Sequence, residues 1–162
     1  MLPIGLSCGD YFKQRLRELQ LRNVQFSGET EIKRNFAIQK FVLTITSFSN
    51  LERLDLQHIN NAPLVFKLLA KVANLSFKNS LKSLTVNACI LKEQNNDGWA
   101  QVQQTDDERV FEDLNLFILK LENLESLELQ GMSIVDHLQD ICLALRRPKL
   151  KALSLPCNGI EA

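Results

Sequence analysis

The sequence predicts an α/β fold in which short parallel strands alternate with helices, and three observations carry that expectation. The spacing LxxLxL recurs five times, at Leu16/Leu19/Leu21, Leu51/Leu54/Leu56, Leu81/Leu84/Val86, Leu124/Leu127/Leu129 and Leu150/Leu153/Leu155. Within each match the last two apolar residues stand two apart, as one face of a strand requires, while the first lies on the turn leading in. Between the matches, apolar residues return at helical spacing. One strand and one helix cannot enclose a core alone, so each unit must stack its leucines on the next, and the strands then form a parallel sheet.

Taken in order, the strands are expected at Glu18 to Arg22, Arg53 to Gln57, Ser83 to Asn87, Ser126 to Gln130 and Ala152 to Pro156. A short helix from Asp10 to Arg15, with Tyr11 and Phe12, precedes the first and forms a thin cover over the N-terminal core. The next helix carries Ile32, Phe36 and Ile45, and the one after it Leu64, Leu68, Leu69, Val72 and Leu75. The later helices carry Val110, Phe111, Leu114, Ile118 and Leu121, then Ile134, Leu138, Ile141, Cys142 and Leu145. Boundary chemistry agrees: Thr105 with Glu108 forms a capping box, Asn61 can cap a helix with Pro63 in its first turn, and Arg146, Arg147 and Pro148 close another. Asn50 and Asn123 each precede a motif's first Leu, where a helix ends and the chain reverses.

This pattern, from about residue 16 to 162, resembles the leucine-rich-repeat superfamily, and within it the ribonuclease-inhibitor-like branch that pairs each strand with a full helix. Residues 150–160, LKALSLPCNGI, fit LxxLxLxxNxI, with Asn158 where the family's asparagine bonds the backbone of its turn. Val24, Ile59, Cys89 and Met132 stand at that position elsewhere. Cysteine is a frequent replacement there in the family. The other three cannot make the bond, so those turns are expected to be less regular. The motif starts at 16, 51, 81, 124 and 150 are 35, 30, 43 and 26 residues apart, against roughly 20–29 in the family, which implies uneven curvature. The widest spacing holds a polar, Gly-containing stretch, residues 92–104, expected to loop out with the single tryptophan, Trp99. The resemblance implies one domain over residues 1–162, a segment of a right-handed α/β horseshoe with the sheet on the inner curve and the helices outside.

Composition bounds what such a domain does. Lys plus Arg equals Asp plus Glu at 19 each, so no long-range field steers the chain toward nucleic acid, an anionic membrane or an acidic substrate, and protein partners are expected. No apolar run approaches membrane-spanning length, and Met1 to Leu6 lacks the basic flank of a signal peptide, so an intracellular protein, cytoplasmic or nuclear, is expected. Asn74, Leu75 and Ser76 form a glycosylation triplet that is read as chance. Cys8, Cys89, Cys142 and Cys157 are far apart, without zinc-ligand spacing, and read as reduced core thiols.

Chemistry-bearing residues are sparse. His58 follows the second strand and His137 lies on the last expected helix, in different units, and both read as structural histidines. His137 and Cys142 are five apart on one helix and so point about 140° apart, which opposes a nucleophile–base pair. Asp106, Asp107 and Glu108 read as carboxylates favoured by a helix N-terminus. No phosphate loop, GxSxG elbow or HExxH helix is present, and neither enzyme activity nor a cofactor or metal is expected.

The polar side of the strands is expected to present Glu18, Gln20 and Arg22; Arg53, Asp55 and Gln57; Ser83, Thr85 and Asn87; Ser126, Glu128 and Gln130; Ala152, Ser154 and Pro156. Of these, Glu18, Gln20, Arg22, Arg53, Asp55, Gln57, Thr85, Asn87, Glu128 and Gln130 are expected to bind a partner. This face is mixed in charge and has no aromatic side chains, unlike a nucleic-acid stacking platform. Trp99 is a competing anchor for a partner pocket. A last strand with no helix after it leaves an edge at residues 152–156, and the expectation is that another polypeptide covers it or that the chain is a piece of a longer solenoid. The reading is a non-catalytic interaction module or a structural subunit of a larger assembly. The resemblance also admits a substrate-recognition arm of a ubiquitin-ligase adaptor, or a bacterial effector.

Overall fold

The computed structural model of the chain describes residues 8–87, 105–131 and 149–155. Five strands, β1 (Glu18–Arg22), β2 (Arg53–Gln57), β3 (Ser83–Asn87), β4 (Ser126–Gln130) and β5 (Ala152–Ser154), form one sheet in chain order, each parallel to the last. Four helices, α1 (Cys8–Arg15), α2 (Glu31–Thr46), α3 (Ala62–Lys71) and α4 (Thr105–Leu119), lie between or before them among the described residues. Four of the five strands have their expected bounds. The fifth ends at Ser154, two residues short of Pro156, which lies outside the described residues, and α1 begins at Cys8 rather than Asp10.

Register follows the motif. Leu19, Leu54, Leu84, Leu127 and Leu153 form one row across the sheet, and Leu21, Leu56, Val86 and Leu129 form the next. Both rows face the helices, and the middle strands' members are fully buried against Val65, Phe66, Leu69, Leu114, Phe117 and Ile118. The motif's first leucines, Leu51, Leu81 and Leu124, complete the same core, with Leu16 and Leu150 half-buried at its ends. A slip of one residue would turn every leucine to the opposite face, so burial on one side pins the pairing.

Each strand entrance is built alike. The carbonyl of Arg17 accepts the amides of Glu52 and Arg53 at 2.7 and 2.9 Å. Glu52 does the same for Lys82 and Ser83, Lys82 for Glu125 and Ser126, and Glu125 for Lys151 and Ala152, all at 2.8–3.1 Å. Two residues earlier, directly before the motif's first leucine, a polar side chain ties the turn to its predecessor. Asn50 Nδ2 donates to Gln14 O at 2.6 Å, Asn123 Nδ2 to Asn79 O at 2.5 Å, and Ser80 Oγ to Ser49 O and Leu51 O at 3.1 and 2.9 Å. The reversal read at Asn50 and Asn123 is therefore held by their own side chains.

The strand exits are alike as well. The residue after the strand has a positive φ at Asn23 (53°), His58 (50°) and Gly131 (70°). Backbone bonds join these exits to the neighbouring units: Asn23 N–H donates to Gln57 O, His58 N–H to Asn87 O and Asn60 N–H to Val24 O, at 2.9–3.0 Å.

The helices depart from expectation in several places: α3 ends at Lys71 and α4 at Leu119, so Val72, Leu75 and Leu121 lie past the helix ends. In α2, Ile45 is buried as expected, but Ile32 and Phe36 are exposed, at 82% and 57%, and Ile45 is joined in the core by Ile38 and Val42. The helix carries two apolar stripes, the second running through Ile32, Phe36 and Leu43, and periodicity alone does not say which meets the sheet. Asn61 occupies the N-cap of α3, but at φ 58° its side chain makes no capping bond, and Pro63 in the first turn supplies the pre-set helical φ. The other end of α3 is capped from outside, by Lys120 Nζ donating to Ala70 O and, at 2.6 Å, to Val72 O. A cation there also complements the helix dipole. The helix expected from Ile134 to Leu145, the 92–104 stretch, and the side chains of Thr105 and Glu108 lie outside the described residues.

Burial is graded along the sheet: Leu84 is fully enclosed, whereas Leu153 is 43% exposed. Leu84→Ala is expected to cost about 2–5 kcal/mol, and Leu153→Ala about 1 kcal/mol or less. Urea denaturation of the two variants beside the parent measures both, and equal costs would show that β5 is as deeply packed as β3.

Candidate functional site

The side of the sheet away from the helices carries the residues expected to bind a partner, and the register sets them in rows. Glu18, Arg53, Ser83, Ser126 and Ala152 form one, Gln20, Asp55, Thr85, Glu128 and Ser154 the second, and Arg22, Gln57, Asn87 and Gln130 the third. The structure thus brings the expected face residues together, except Pro156 and Trp99, which lie outside the described residues.

Asp55 is the hub of the N-terminal half of this face. Its Oδ2 accepts from Gln20 Nε2 at 2.6 Å and from Gln57 Nε2 at 3.0 Å, and Arg22 Nη2 stands 3.9 Å away. Closure by these longer side chains leaves Asp55 only 8% exposed, although it points away from the leucine core. Its Oδ1 is buried with no hydrogen-bond partner among the described groups. Asn87, also 8% exposed, donates from Nδ2 to Gln130 Oε1 at 3.0 Å, and Arg53 lies 4.0 Å from Glu18. Two positions on the polar face are therefore buried, because cross-strand neighbours on a parallel sheet are close enough for Gln and Arg side chains to fold over shorter ones.

A second feature runs along the strand entrances. The residue directly before each strand is Arg17, Glu52, Lys82, Glu125 and Lys151 in turn, so the charge alternates from strand to strand. Glu52 Oε1 accepts from Arg17 Nη1 and its Oε2 from Lys82 Nζ at 3.2 Å, while Glu125 Oε2 takes Lys151 Nζ at 2.9 Å. Hydrogen bonds from Arg17 and then Lys82 hold the Glu52 carboxyl below its ordinary range, and the bond from Lys151 does the same for Glu125, with Lys82 adding its charge. The alternation was legible in the residues before each motif's third position, but it emerges only when the five matches are laid side by side.

The remaining chemistry-bearing residues do not converge. His58 is half-buried at the β2 exit, with Nδ1 enclosed and unpartnered among the described groups. Among the described residues no three of His, Cys, Asp and Glu come together as a metal site would require, and no helix is long and apolar enough to cross a membrane. His137, Cys89, Cys142 and Cys157 lie outside the described residues, as do the side chains of Cys8, Asp106, Asp107 and Glu108.

Lowered carboxyls stabilise the fold above their unfolded titration range, and the contribution is lost as pH falls through the folded values. Glu52→Gln and Glu125→Gln are expected to lower the urea midpoint slightly at neutral pH, less so at high salt, and to match the parent once acid has protonated both carboxyls. Urea titrations at neutral and acid pH check this; a gap that persists in acid would place the effect in packing rather than charge. Comparison with protein-family models, with curated proteins and with solved structures finds no match to this chain.

Proposed function

We propose that the chain is a leucine-rich-repeat type of α/β solenoid that serves as a non-catalytic protein-interaction module or as a structural subunit of a larger assembly. The observation that supports this most is the sidedness of the sheet. Leucines and helices occupy one face across five in-register strands, while the other face presents rows of polar side chains. A surface of that kind, fixed by strands rather than loops, holds Arg53, Asp55, Thr85 and Glu128 at set spacings without an ordering cost when a partner arrives.

The β5 edge is the second contact surface in this reading. Ala152, Leu153 and Ser154 are all exposed, and among the described residues β5 is paired on one side only. An open parallel edge offers backbone groups to another strand.

A photoreactive side chain placed singly at Thr85, Glu128 or Ser154, with Glu112 on the exposed side of α4 as control, tests the reading in extracts of the native cell. Cross-links to one partner from the sheet positions and none from Glu112 are expected. Cross-linking from Glu112 alone would move the binding surface to the helices.

A further inference from the structure

The entrance row has an odd number of members, so its alternation begins and ends on a cation: Arg17 before β1 and Lys151 before β5. The neighbourhood of each end reinforces the sign. Lys13 and Arg15 lie in the last turn of α1, which meets the β2 entrance through Ser49 N–H to Lys13 O and Asn50 Nδ2 to Gln14 O. At the other end Lys149 donates to Asn123 Oδ1 and adds its charge at Glu125. The acids of the row, Glu52 and Glu125, are interior, each next to a cation on either side. Glu18, on the polar face of β1, is 4.0 Å from Arg53.

The same pair of backbone bonds sets the spacing of this row at all four strand junctions, so a fifth junction made in the same way would place its own entrance residue beside Arg17 or Lys151. A second copy stacked head to tail would bring Lys151 of one molecule against Arg17 of the next. The chain's net charge is zero, so no overall repulsion keeps copies apart, and the discrimination lies in this local pair.

We propose that the β1 and β5 edges, each paired on one side only among the described residues, reject a second copy of this chain and accept a parallel strand from a partner that carries Asp or Glu immediately before its first strand residue. The inference rests on reading the edges as contact surfaces. It is separable from the sheet-face reading, because cross-linking from Thr85 and Glu128 does not depend on the entrance charges. The acid of the partner continues the alternation, bonding Lys151 as Glu125 already does, or Arg17 as Glu52 does. Specificity of this kind combines attraction of the right strand with repulsion of the abundant wrong one, the chain itself.

Charge reversal within the full chain tests the inference. The parent, Arg17→Glu, Lys151→Glu and the double variant Arg17→Glu/Lys151→Glu are compared by sedimentation velocity over a concentration series at low and high salt, after circular dichroism has shown each to be folded. The parent and the double variant, each with like charges at its two edges, are expected not to stack. Each single variant joins an acid edge to a basic one and is expected to associate roughly tenfold more strongly than the parent at low salt, with the gain lost at high salt. Mixing parent with double variant supplies each with the acid or base it lacks and is expected to give the same gain. Either single variant suffices if the other does not fold. Head-to-tail association of the parent, or no gain in a folded single variant, overturns the proposal.

Discussion

A leucine on one strand of this sheet has no complete environment of its own. Leu54 lies between Leu19 and Leu84 on the neighbouring strands and shares one buried core with residues of α2, α3 and α4, and Leu84 sits in the same way between Leu54 and Leu127. Register, sheet order and the placement of the helices on one side all follow from the need to enclose that row. The hydrogen bonds at the strand entrances and exits keep the spacing that the leucines require, and the polar rows on the far face inherit it. A partner-facing surface with fixed intervals is thus a by-product of core packing, which explains how a face without apolar content is so regularly arranged.

The parts of the fold legible in the residues are those governed by period-two burial. Strand bounds could be read because a leucine two positions from another has only one way to meet a helix layer, and four of the five strands match to the residue. In α4 the apolar positions read from the sequence, Val110, Phe111, Leu114 and Ile118, are all buried. In α2 two stripes competed, and the choice between Ile32 with Phe36 and Ile38 with Val42 was made by tertiary contact, which no local pattern records. The turn after β2 shows a different limit. Ile59 carries no side-chain hydrogen-bonding group there, and the turn forms with a positive φ at His58 and the His58 N–H donating to Asn87 O.

The candidate surface was legible by position and less so by environment. Alternation assigned Asp55 and Asn87 to the face away from the core, and the register places them there. Their burial depends on Gln20, Arg22 and Gln130, residues 33 to 43 positions distant or on another strand, so it was hidden until the strands were paired. The entrance charges were present in the sequence as five separate surface residues. Their alternation is a property of neighbours in space, created by stacking units of unequal length so that one residue from each arrives at the same edge.

The lysine that closes α3 comes from the far side of the widest gap between motifs. Lys120 is 48 residues beyond Val72, whose carbonyl it holds, and it follows directly on α4. During synthesis α3 leaves the ribosome well before the residue that finishes its C-terminus, so at a few to some 20 residues per second it waits seconds with its last carbonyls bonded only to water. The second unit is therefore completed by the third.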